Sequence, residues 1–204
     1  MSPVSASTPE PGAPEPDARA RLSLAALEAF ATRGFHGTTT RDISTAAGMS
    51  PAALYVHHRS KEELLYELSR TGHQRVLELV RAAVARSQDP VQQLGDLVDA
   101  FVRDHAVSHT GARVINYELS ALSEEHLVEV LAIRHEFDVI IRDVIDRGVA
   151  AGVFTTPDAR MTALAILSLG IDVARWNRDG GLWTRDEVAA HYRLLALRMV
   201  GAPA

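Results

Sequence analysis

Side chains that could catalyse a reaction occur in this sequence, but none of them stands in a pattern that enzymes use. The 204 residues contain no cysteine, which excludes thiolate nucleophiles, disulfides and cysteine metal sites. The sequence also has no G-x-S-x-G nucleophile elbow, no phosphate-binding P-loop and no glycine-rich dinucleotide fingerprint. Isolated serines, histidines and aspartates remain, as in any chain of this length. We therefore expect a protein that is not an enzyme and uses no cofactor.

Two histidines have the spacing of a metal-binding pair. His105 and His109 are four residues apart, which places them on one face of a helix. Zinc sites use such pairs, but no glutamate follows His105 as it does in zinc-protease helices. The other interpretation, which we favour, is that both are ordinary core or surface residues. We therefore expect no metal.

Polar residues that interrupt apolar segments in the second half of the chain are candidates for ligand binding. Asn116-Tyr117-Glu118 follows Val114-Ile115, and Arg175-Trp176 ends an apolar helix. Buried polar groups need partners, and a bound molecule can be one. The alternative is that these side chains pair with one another or face water. The ligand-binding candidates are Arg113, Asn116, Tyr117, Glu118, Arg175 and Trp176.

Other polar residues begin short helices between residues 38 and 65. Thr39 and Asp42 have the spacing of a capping box, in which each side chain satisfies a free amide at a helix start. This pair predicts a helix from about Thr40 to Ala47. Ser60 and Glu63 have the same spacing and predict the start of a longer helix.

A sharp turn and a second short helix lie between these two starts. Gly48 supplies the backbone freedom that a tight turn requires. Ser50 then stands at a capping position and Pro51 at the first helical position, where its missing amide hydrogen costs nothing. The helix that begins there is predicted to continue to His57 or His58.

The apolar positions predict how the two short helices meet. Ile43, Ala47, Met49 and Leu54 can contact one another only if the helices cross steeply around Gly48, which is the geometry of a helix-turn-helix. Such a pair presents the second helix to the major groove of DNA. The DNA-binding candidates are Thr39, Thr40, Arg41, Ser50, Pro51, Ala52, Ala53, Tyr55, His57 and Lys61.

Charge supports this placement only weakly. The formal net charge is −5, although residues 17 to 75 carry eight basic and six acidic side chains and residues 76 to 204 carry 13 and 18. Arg41 and Lys61 stand at helix starts beside the second short helix, where a cation and free amides can both meet phosphate. Taken alone, each could equally be a solvated surface charge.

This region resembles a known family. Gly34-Phe35, Thr38 to Ile43, Ala46 to Ser50, Leu54-Tyr55 and Ser60 to Leu65 agree in order and spacing with the TetR family of transcriptional regulators. The resemblance covers residues 19 to 66 without a gap. It implies a three-helix DNA-binding domain followed by a helical domain that binds a ligand and forms the dimer.

Two residues depart from the family pattern. Ser44 stands where the family usually has alanine, and His58 stands where it has an aromatic residue. Neither affects the turn or the caps, so the departures concern packing beneath the second short helix. A compact three-helix domain without DNA binding is the alternative interpretation of this region.

The remaining sequence predicts further helices and no convincing strand, so we expect an all-α fold of about nine helices. Residues 1 to 16 hold five of the nine prolines and no aromatic residue, a composition typical of disorder. The predicted domains are a disordered tail (1–16), a helix-turn-helix DNA-binding domain (17–66) and a ligand-binding and dimerisation domain (67–204). The later predicted helices span 61–86, which joins the two domains, then 90–107, 111–122, 123–152, 156–177 and 184–200.

The last two helices have a pattern typical of a dimer interface. Met161 to Ile171 is apolar on all sides, and Val188, Tyr192, Leu195 and Met199 form a second apolar face. A helix that is apolar all round must be covered all round, and a second copy of the chain can provide the cover. The alternative is a core formed entirely within one chain. The family resemblance favours the homodimer.

A second, fainter resemblance concerns the ligand. The sequences around Asn116 to Leu119 and Ala174 to Trp176 are similar to a TetR branch that controls lipid, fatty-acid or steroid breakdown and senses acyl-coenzyme A thioesters. This resemblance implies an acyl-coenzyme A effector.

Together these features predict a repressor that binds a palindromic operator in double-stranded DNA and is released by a small-molecule effector. The alternative is a DNA-binding protein regulated by a protein partner with no small-molecule effector. The longest nearly uncharged apolar run has 11 residues, against roughly 20 for a membrane span, and no signal peptide is recognisable. We therefore expect a cytoplasmic protein with no membrane partner.

Overall fold

A computed structural model describes residues 17–202, and within them the chain forms nine α-helices, one short 3-10 helix and no strand. This confirms the predicted all-α architecture. The predicted disordered tail of residues 1–16 lies outside the described residues. The helices are α1 (Ala18–Arg33), α2 (Thr40–Ala46), α3 (Pro51–His57), α4 (Lys61–Val84), α5 (Pro90–Val107), α6 (His109–Tyr117), α7 (Glu124–Ala150), α8 (Ala159–Trp176) and α9 (Arg185–Met199), with the 3-10 helix at Leu119–Ala121.

Two hydrophobic cores organise the helices. The first lies under α1, α2, α3 and the start of α4, where Phe30, Ile43, Leu54 and Leu64 are almost fully buried. The second lies among the rest of α4 and α5, α7, α8 and α9. The first core also takes in Val114 of α6, so the division between the two halves passes through packed side chains. The domain boundary near residue 66 stays a prediction.

Helix α4 belongs to both cores. Its first turns bury Leu64 and Leu65 in the first core, and later turns bury Val76 and Val80 in the second. Its 24 residues correspond to a length of about 36 Å at about 1.5 Å per residue. One unbroken helix therefore connects the two halves, as the sequence predicts.

The predicted helix over residues 111–122 is wrong in its bounds, because the structure breaks it. Helix α6 already begins at His109 and ends at Tyr117, and Glu118 has φ −98° and ψ 12°, outside the helical range. The three-residue 3-10 helix follows, and Leu122 then has extended backbone. This turn brings the chain to the start of α7.

Helix α8 begins at Ala159, three residues later than the predicted start at 156. Asp158, not Thr156, is the N-cap, and its carboxylate accepts a hydrogen bond from the amide of Met161 at 2.8 Å. The Thr156 hydroxyl instead shares a hydrogen bond with that of Thr162 at 2.6 Å. At the start of α9, Thr184 and Glu187 form a capping box.

Helix α8 is covered on one side only. Ala163, Ile166 and Val173 lie in the second core, whereas Met161 is 68% exposed and Leu169 is 44% exposed. Residues 17–202 include no helix that is both long enough and apolar enough to cross a membrane. Met161 and Leu169 therefore belong to an exposed apolar surface on α8.

Candidate nucleic-acid interface and ligand cavity

The turn between α2 and α3 is built as the sequence predicts. The Thr39 hydroxyl accepts a hydrogen bond from the amide of Asp42, and the Asp42 carboxylate accepts one from the amide of Thr39, completing the capping box. Gly48 has φ +67°, a left-handed conformation that favours glycine. The amide of Met49 donates to the carbonyl of Ser44 at 2.8 Å and closes the turn.

Two predicted caps take a different form. The Ser50 hydroxyl makes no capping hydrogen bond, so α3 begins with Pro51 at its first position and no side-chain cap. The Ser60 hydroxyl accepts from the amide of Glu63 at 3.0 Å, but the Glu63 carboxylate accepts from the amide of Arg59 instead of that of Ser60. The Ser60 side chain therefore caps the start of α4, but the reciprocal hydrogen bond that would complete a capping box is replaced by one to the amide of Arg59.

Helix α3 exposes the face that the sequence predicts for DNA. Leu54 is fully buried and anchors the helix on the first core. Tyr55 is 58% exposed, and its hydroxyl lies 3.3 Å from the Thr40 hydroxyl of α2. Val56, which the sequence does not single out, is 78% exposed. Of the other candidates on this helix and its cap, Ser50, Pro51, Ala52 and His57 are exposed and Ala53 is half-buried.

The two cations beside α3 differ in their surroundings. Arg41 is exposed, and its side chain makes no hydrogen bond or ion pair within residues 17–202. Lys61 is half-buried, donates to the carbonyls of Phe35 and Thr38 at 2.7 Å each, and lies 4.2 Å from the centroid of the Phe35 ring. The Lys61 ammonium therefore joins α4 to the loop before α2, and its contact with phosphate stays a prediction.

The two departures from the family pattern are both buried. The Ser44 hydroxyl donates to the carbonyl of Thr40 at 2.9 Å, which satisfies it inside the core. Neither ring nitrogen of His58 has a hydrogen bond, and its Nδ1 lies 3.4 Å from a carboxylate oxygen of Glu67. Burial lowers the pKa of His58 below its usual value, so His58 packs as a neutral ring.

A separate cavity of about 350 Å³ lies in the second half of the molecule. This volume is near the lower end of the roughly 300–1,000 Å³ typical of ligand sites. Sixteen residues of α4, α5, α6, α7 and α8 line it; eight of them are apolar, and apolar atoms form the larger part of the lining surface. The lining residues are His73, Val76, Phe101, His105, Ile115, Asn116, Leu131, Arg134, His135, Phe137, Asp138, Arg160, Leu164, Leu167, Ser168 and Ile171.

Three polar side chains from three helices meet in the wall of this cavity. The His73 Nδ1 is 2.7 Å from the carbonyl of Ser69, which can only accept, so Nδ1 carries the hydrogen and Nε2 is an acceptor. One guanidinium nitrogen of Arg134, Nη1, donates to His73 Nε2 at 3.2 Å and to the Asn116 Oδ1 at 2.7 Å. The cluster therefore ties α4, α6 and α7 together through one arginine nitrogen.

Burial shifts the titration of these groups. Desolvation lowers the pKa of His73 to about 4, and it also lowers the pKa of the buried His105. His105 Nδ1 donates to the carbonyl of Phe101 at 2.9 Å. Desolvation likewise lowers the pKa of Arg134 below its usual value. Near neutral pH the two histidines are neutral, and the cation of the cluster is Arg134.

The structure does not bring the six predicted ligand-binding residues together. Only Asn116 lines the apolar cavity. Arg113 donates to the carbonyl of Ala31 in α1 at 2.7 Å, and it lines a cleft between the two halves with Tyr117, Glu118 and Arg175.

Tyr117, Arg175 and Trp176 are all exposed. The Tyr117 hydroxyl and the Arg175 guanidinium both contact Asp172, at 3.3 Å and 3.2 Å. Trp176 stacks on Tyr192 with ring centroids 6.5 Å apart. Among the six candidates, Asn116 alone lines the cavity, and ligand binding by the other five stays a prediction.

The sequence carries a signal for the residues that were missed. Arg134 stands on the buried stripe of α7 between Val130 and Phe137, and His73 stands on the buried stripe of α4 between Ser69 and Val76. A charged or titratable residue at a buried helical position is a candidate for a functional site. Polar residues that interrupt apolar segments indicate a different set of candidates, most of which lie at helix ends.

Comparison with known proteins gives matches along most of the chain. Residues 24–68 match the family model described as bacterial regulatory proteins of the tetR family. Residues 87–200, more than half of the chain, match the model described as the C-terminal domain of tetracyclin repressor-like proteins.

Individual relatives agree with these matches. The HTH-type transcriptional repressor KstR2 of Mycobacterium tuberculosis is 30% identical over 183 residues, which cover 88% of this chain and 90% of that protein. The solved structure of KstR2 from the same organism, titled a ketosteroid transcriptional regulator, has a TM-score of 0.84 and 26% identity over 91% of this chain and 95% of that one. A bacterial regulatory protein from Rhodococcus RHA1 has a TM-score of 0.88 and 41% identity over 93% and 100%.

Replacing Lys61 by Met is expected to lower the free energy of unfolding by about 1–3 kcal/mol, because two carbonyls lose their charged donor. Chemical denaturation monitored by circular dichroism measures this change. Arg59→Met, which removes an exposed cation two residues before Lys61, is the control and should leave stability almost unchanged. Equal stability of the wild type and Lys61→Met would contradict the structural role given to Lys61.

Acidification is expected to destabilise the protein through His73. The pKa of His73 is about 4 in the folded protein and 6.5 in the unfolded chain, so the unfolded chain binds more protons between these pH values and stability falls as the pH falls through them. The shift corresponds to about 3 kcal/mol. His73→Gln should make the dependence of stability on pH shallower between 6.5 and 4, whereas His191→Gln, at an exposed position, should not. A similar slope in the wild type and His73→Gln would refute the assignment.

Proposed function

This chain belongs to the TetR family of bacterial transcriptional regulators, and from that premise we propose that it is a cytoplasmic repressor whose dimer binds a palindromic operator and is released by a small-molecule effector. The proposal of DNA binding rests on one observation, which is that the second helix of the helix-turn-helix, α3, exposes one face to solvent. The cavity of the second half carries the effector part. TetR regulators are not enzymes, and this function needs no catalytic group.

The shape of α3 supports major-groove binding. Its exposed side consists of Pro51, Ala52, Tyr55 and His57, and the small residues allow close approach to base edges. Arg41 has no partner within residues 17–202 and is free to contact a phosphate. In a two-fold symmetric dimer the two α3 helices would enter major grooves about one helical turn apart or slightly more.

The exposed apolar residues of α8 and α9 support the dimer. Leu169 and Trp176 of α8 and Leu194 of α9 are each at least two-fifths exposed. A second copy related by two-fold symmetry can cover these residues and form a four-helix interface. The sequence predicts the dimer interface on these same two helices.

The cavity supports an effector with a large apolar part. Phe101, Phe137, Leu167 and Ile171 line it, and apolar walls with a few polar groups are typical of small-molecule sites. The similarity to KstR2, a regulator named for ketosteroids, favours a lipid-derived compound. The volume of about 350 Å³ suits an acyl group better than a whole coenzyme A molecule, so the coenzyme part of a thioester would remain outside.

Release of DNA requires the effector to bind more tightly to the conformation that does not bind DNA than to the one that does. An effector with equal affinity for both conformations would leave their populations unchanged. Helix α4 is the element that can transmit the preference, because His73 and Val76 line the cavity and Leu64 lies in the DNA-binding half. A change in the direction of α4 would alter the distance between the two α3 helices of the dimer. A protein partner in place of an effector remains the alternative, and a partner that copurifies with a protein no small molecule stabilises would favour it.

Removing a phosphate contact should weaken binding to all DNA sequences alike. Arg41→Ala is expected to lower affinity and to make the dependence of log K on log salt shallower by about one unit per protomer. Fluorescence anisotropy with an operator duplex and a scrambled duplex measures both quantities. Arg86→Ala, an exposed arginine beyond the opposite end of α4, is the control. A salt dependence that matches the wild type in Arg41→Ala would place Arg41 away from the phosphates.

A charge on the exposed side of α8 should dissociate the dimer. Leu169→Glu is expected to give a monomer at micromolar concentration, because a dimer would bury the carboxylate without a partner. Val128→Glu, at a residue of α7 that is 62% exposed, is the matched control and should stay dimeric. Light scattering that shows a monomeric wild type, or a dimeric Leu169→Glu, would argue against this interface.

A further inference from the structure

Arg134 is a cation that faces the cavity with no anion beside it. Its neighbours on the same side of α7, Val130 and Phe137, are buried, and no carboxylate lies within ion-pair distance of it in residues 17–202. Asp138 and Arg160 also line the cavity, and neither forms an ion pair with Arg134 or with the other. Apart from the histidines, the charged lining consists of two arginines and one aspartate, a formal excess of one positive charge.

The two protein groups that contact Arg134 do not neutralise it. His73 Nε2 and Asn116 Oδ1 are uncharged acceptors, and both bond to the same nitrogen, Nη1. A charge withdrawn from water into apolar surroundings is costly unless it is paired. The unliganded cavity therefore keeps a charge that a bound anion would stabilise.

The donors that remain on Arg134 have a defined arrangement. Arginine has five N–H donors, and the two hydrogens of Nη1 face His73 and Asn116. The Nε and Nη2 hydrogens, which form the opposite edge of the guanidinium, have no protein acceptor in residues 17–202. Two parallel donors on one edge match the two oxygens of a carboxylate. His73 and Asn116 thus orient the guanidinium and leave this edge for a ligand.

We infer that the effector carries a carboxylate inside the cavity and that Arg134 binds it through Nε and Nη2. This inference rests on the proposed effector function and narrows its chemical class to an apolar chain or ring system that bears a carboxylate. Phe101, Phe137 and Leu167 contact the apolar body. His73 and Asn116 are positioning residues, because they contact Arg134 and fix its orientation.

Two kinds of molecule supply this chemistry. One is a free carboxylic acid that enters with its carboxylate first. The other is a coenzyme A thioester whose acyl group ends in a second carboxylate, so that the acyl end enters and the coenzyme stays outside. Matched pairs of probes separate them, since octanoate and 1-octanol differ only in the carboxylate, and octanedioyl-coenzyme A and octanoyl-coenzyme A differ only at the far end of the chain.

Isothermal titration calorimetry of the full-length protein with these four probes tests the inference. In at least one pair the carboxylate-bearing probe should bind about tenfold to a hundredfold more tightly, the range expected for hydrogen bonds between charged groups. A preference within the first pair identifies a free acid, and a preference within the second identifies a thioester. Binding of probes without any preference in either pair would overturn the inference and leave the effector function standing.

Variants of α7 test whether Arg134 is the side chain responsible for tighter binding of the carboxylate-bearing probe. Arg134→Met should abolish it while leaving the affinity for the methyl-ended or alcohol probe unchanged or higher, and Arg134→Lys, which keeps the charge but loses the two-donor edge, should retain only part of it. Arg142→Met, two turns along the same helix and outside the cavity, should keep the full preference. A full preference in Arg134→Met would overturn the inference.

Two further outcomes are distinguishable. If none of the four probes binds the wild type at 1 mM, the inference fails together with the acyl class of effector, whereas operator binding by the dimer is measured separately and can still stand. Thermal unfolding of unliganded Arg134→Met reports folding. A single cooperative transition in the variant is expected, so that a lost preference reflects the missing guanidinium and not unfolding.

Discussion

The continuity of helix α4 is the constraint on which the rest of the structure depends. An uninterrupted helix cannot bend sharply without losing backbone hydrogen bonds, so its two ends move together. Its first turns are packed into the DNA-binding half and its later turns line the cavity. When the later turns of α4 repack around the cavity, either the first turns of α4 must move as well or the contacts between α4 and α6 must change.

Helix α6 lies against α4 at an unusually close point. A Cβ atom added to Gly72 of α4 would lie 2.6 Å from the Cδ1 of Ile115, and Ile115 also lines the cavity. The other side of α6 bonds to α1 through Arg113 and the carbonyl of Ala31. Helix α6, which forms part of the cavity wall, thus contacts α4 directly and is hydrogen-bonded to α1 of the DNA-binding half.

The sequence predicts the DNA-binding half well and the cavity poorly, for a physical reason. Caps and turns such as Thr39 with Asp42 and the glycine at 48 depend on neighbours a few residues away, so local spacing reveals them. The contact of Lys61 with Phe35 spans 26 residues, and the meeting of His73, Asn116 and Arg134 depends on how three helices pack. Spacing within one helix cannot show which polar residues converge.

Lys61 is the only lysine of the chain, and its ammonium is held by two carbonyls. Amine-directed reagents react with the free, uncharged amine, so they can modify this side chain only when the contacts with Phe35 and Thr38 open. The rate of modification at Lys61 therefore measures how often the DNA-binding half opens locally. The protein carries a single natural reporter of that motion, at the junction between its long helix and the loop that precedes the helix-turn-helix.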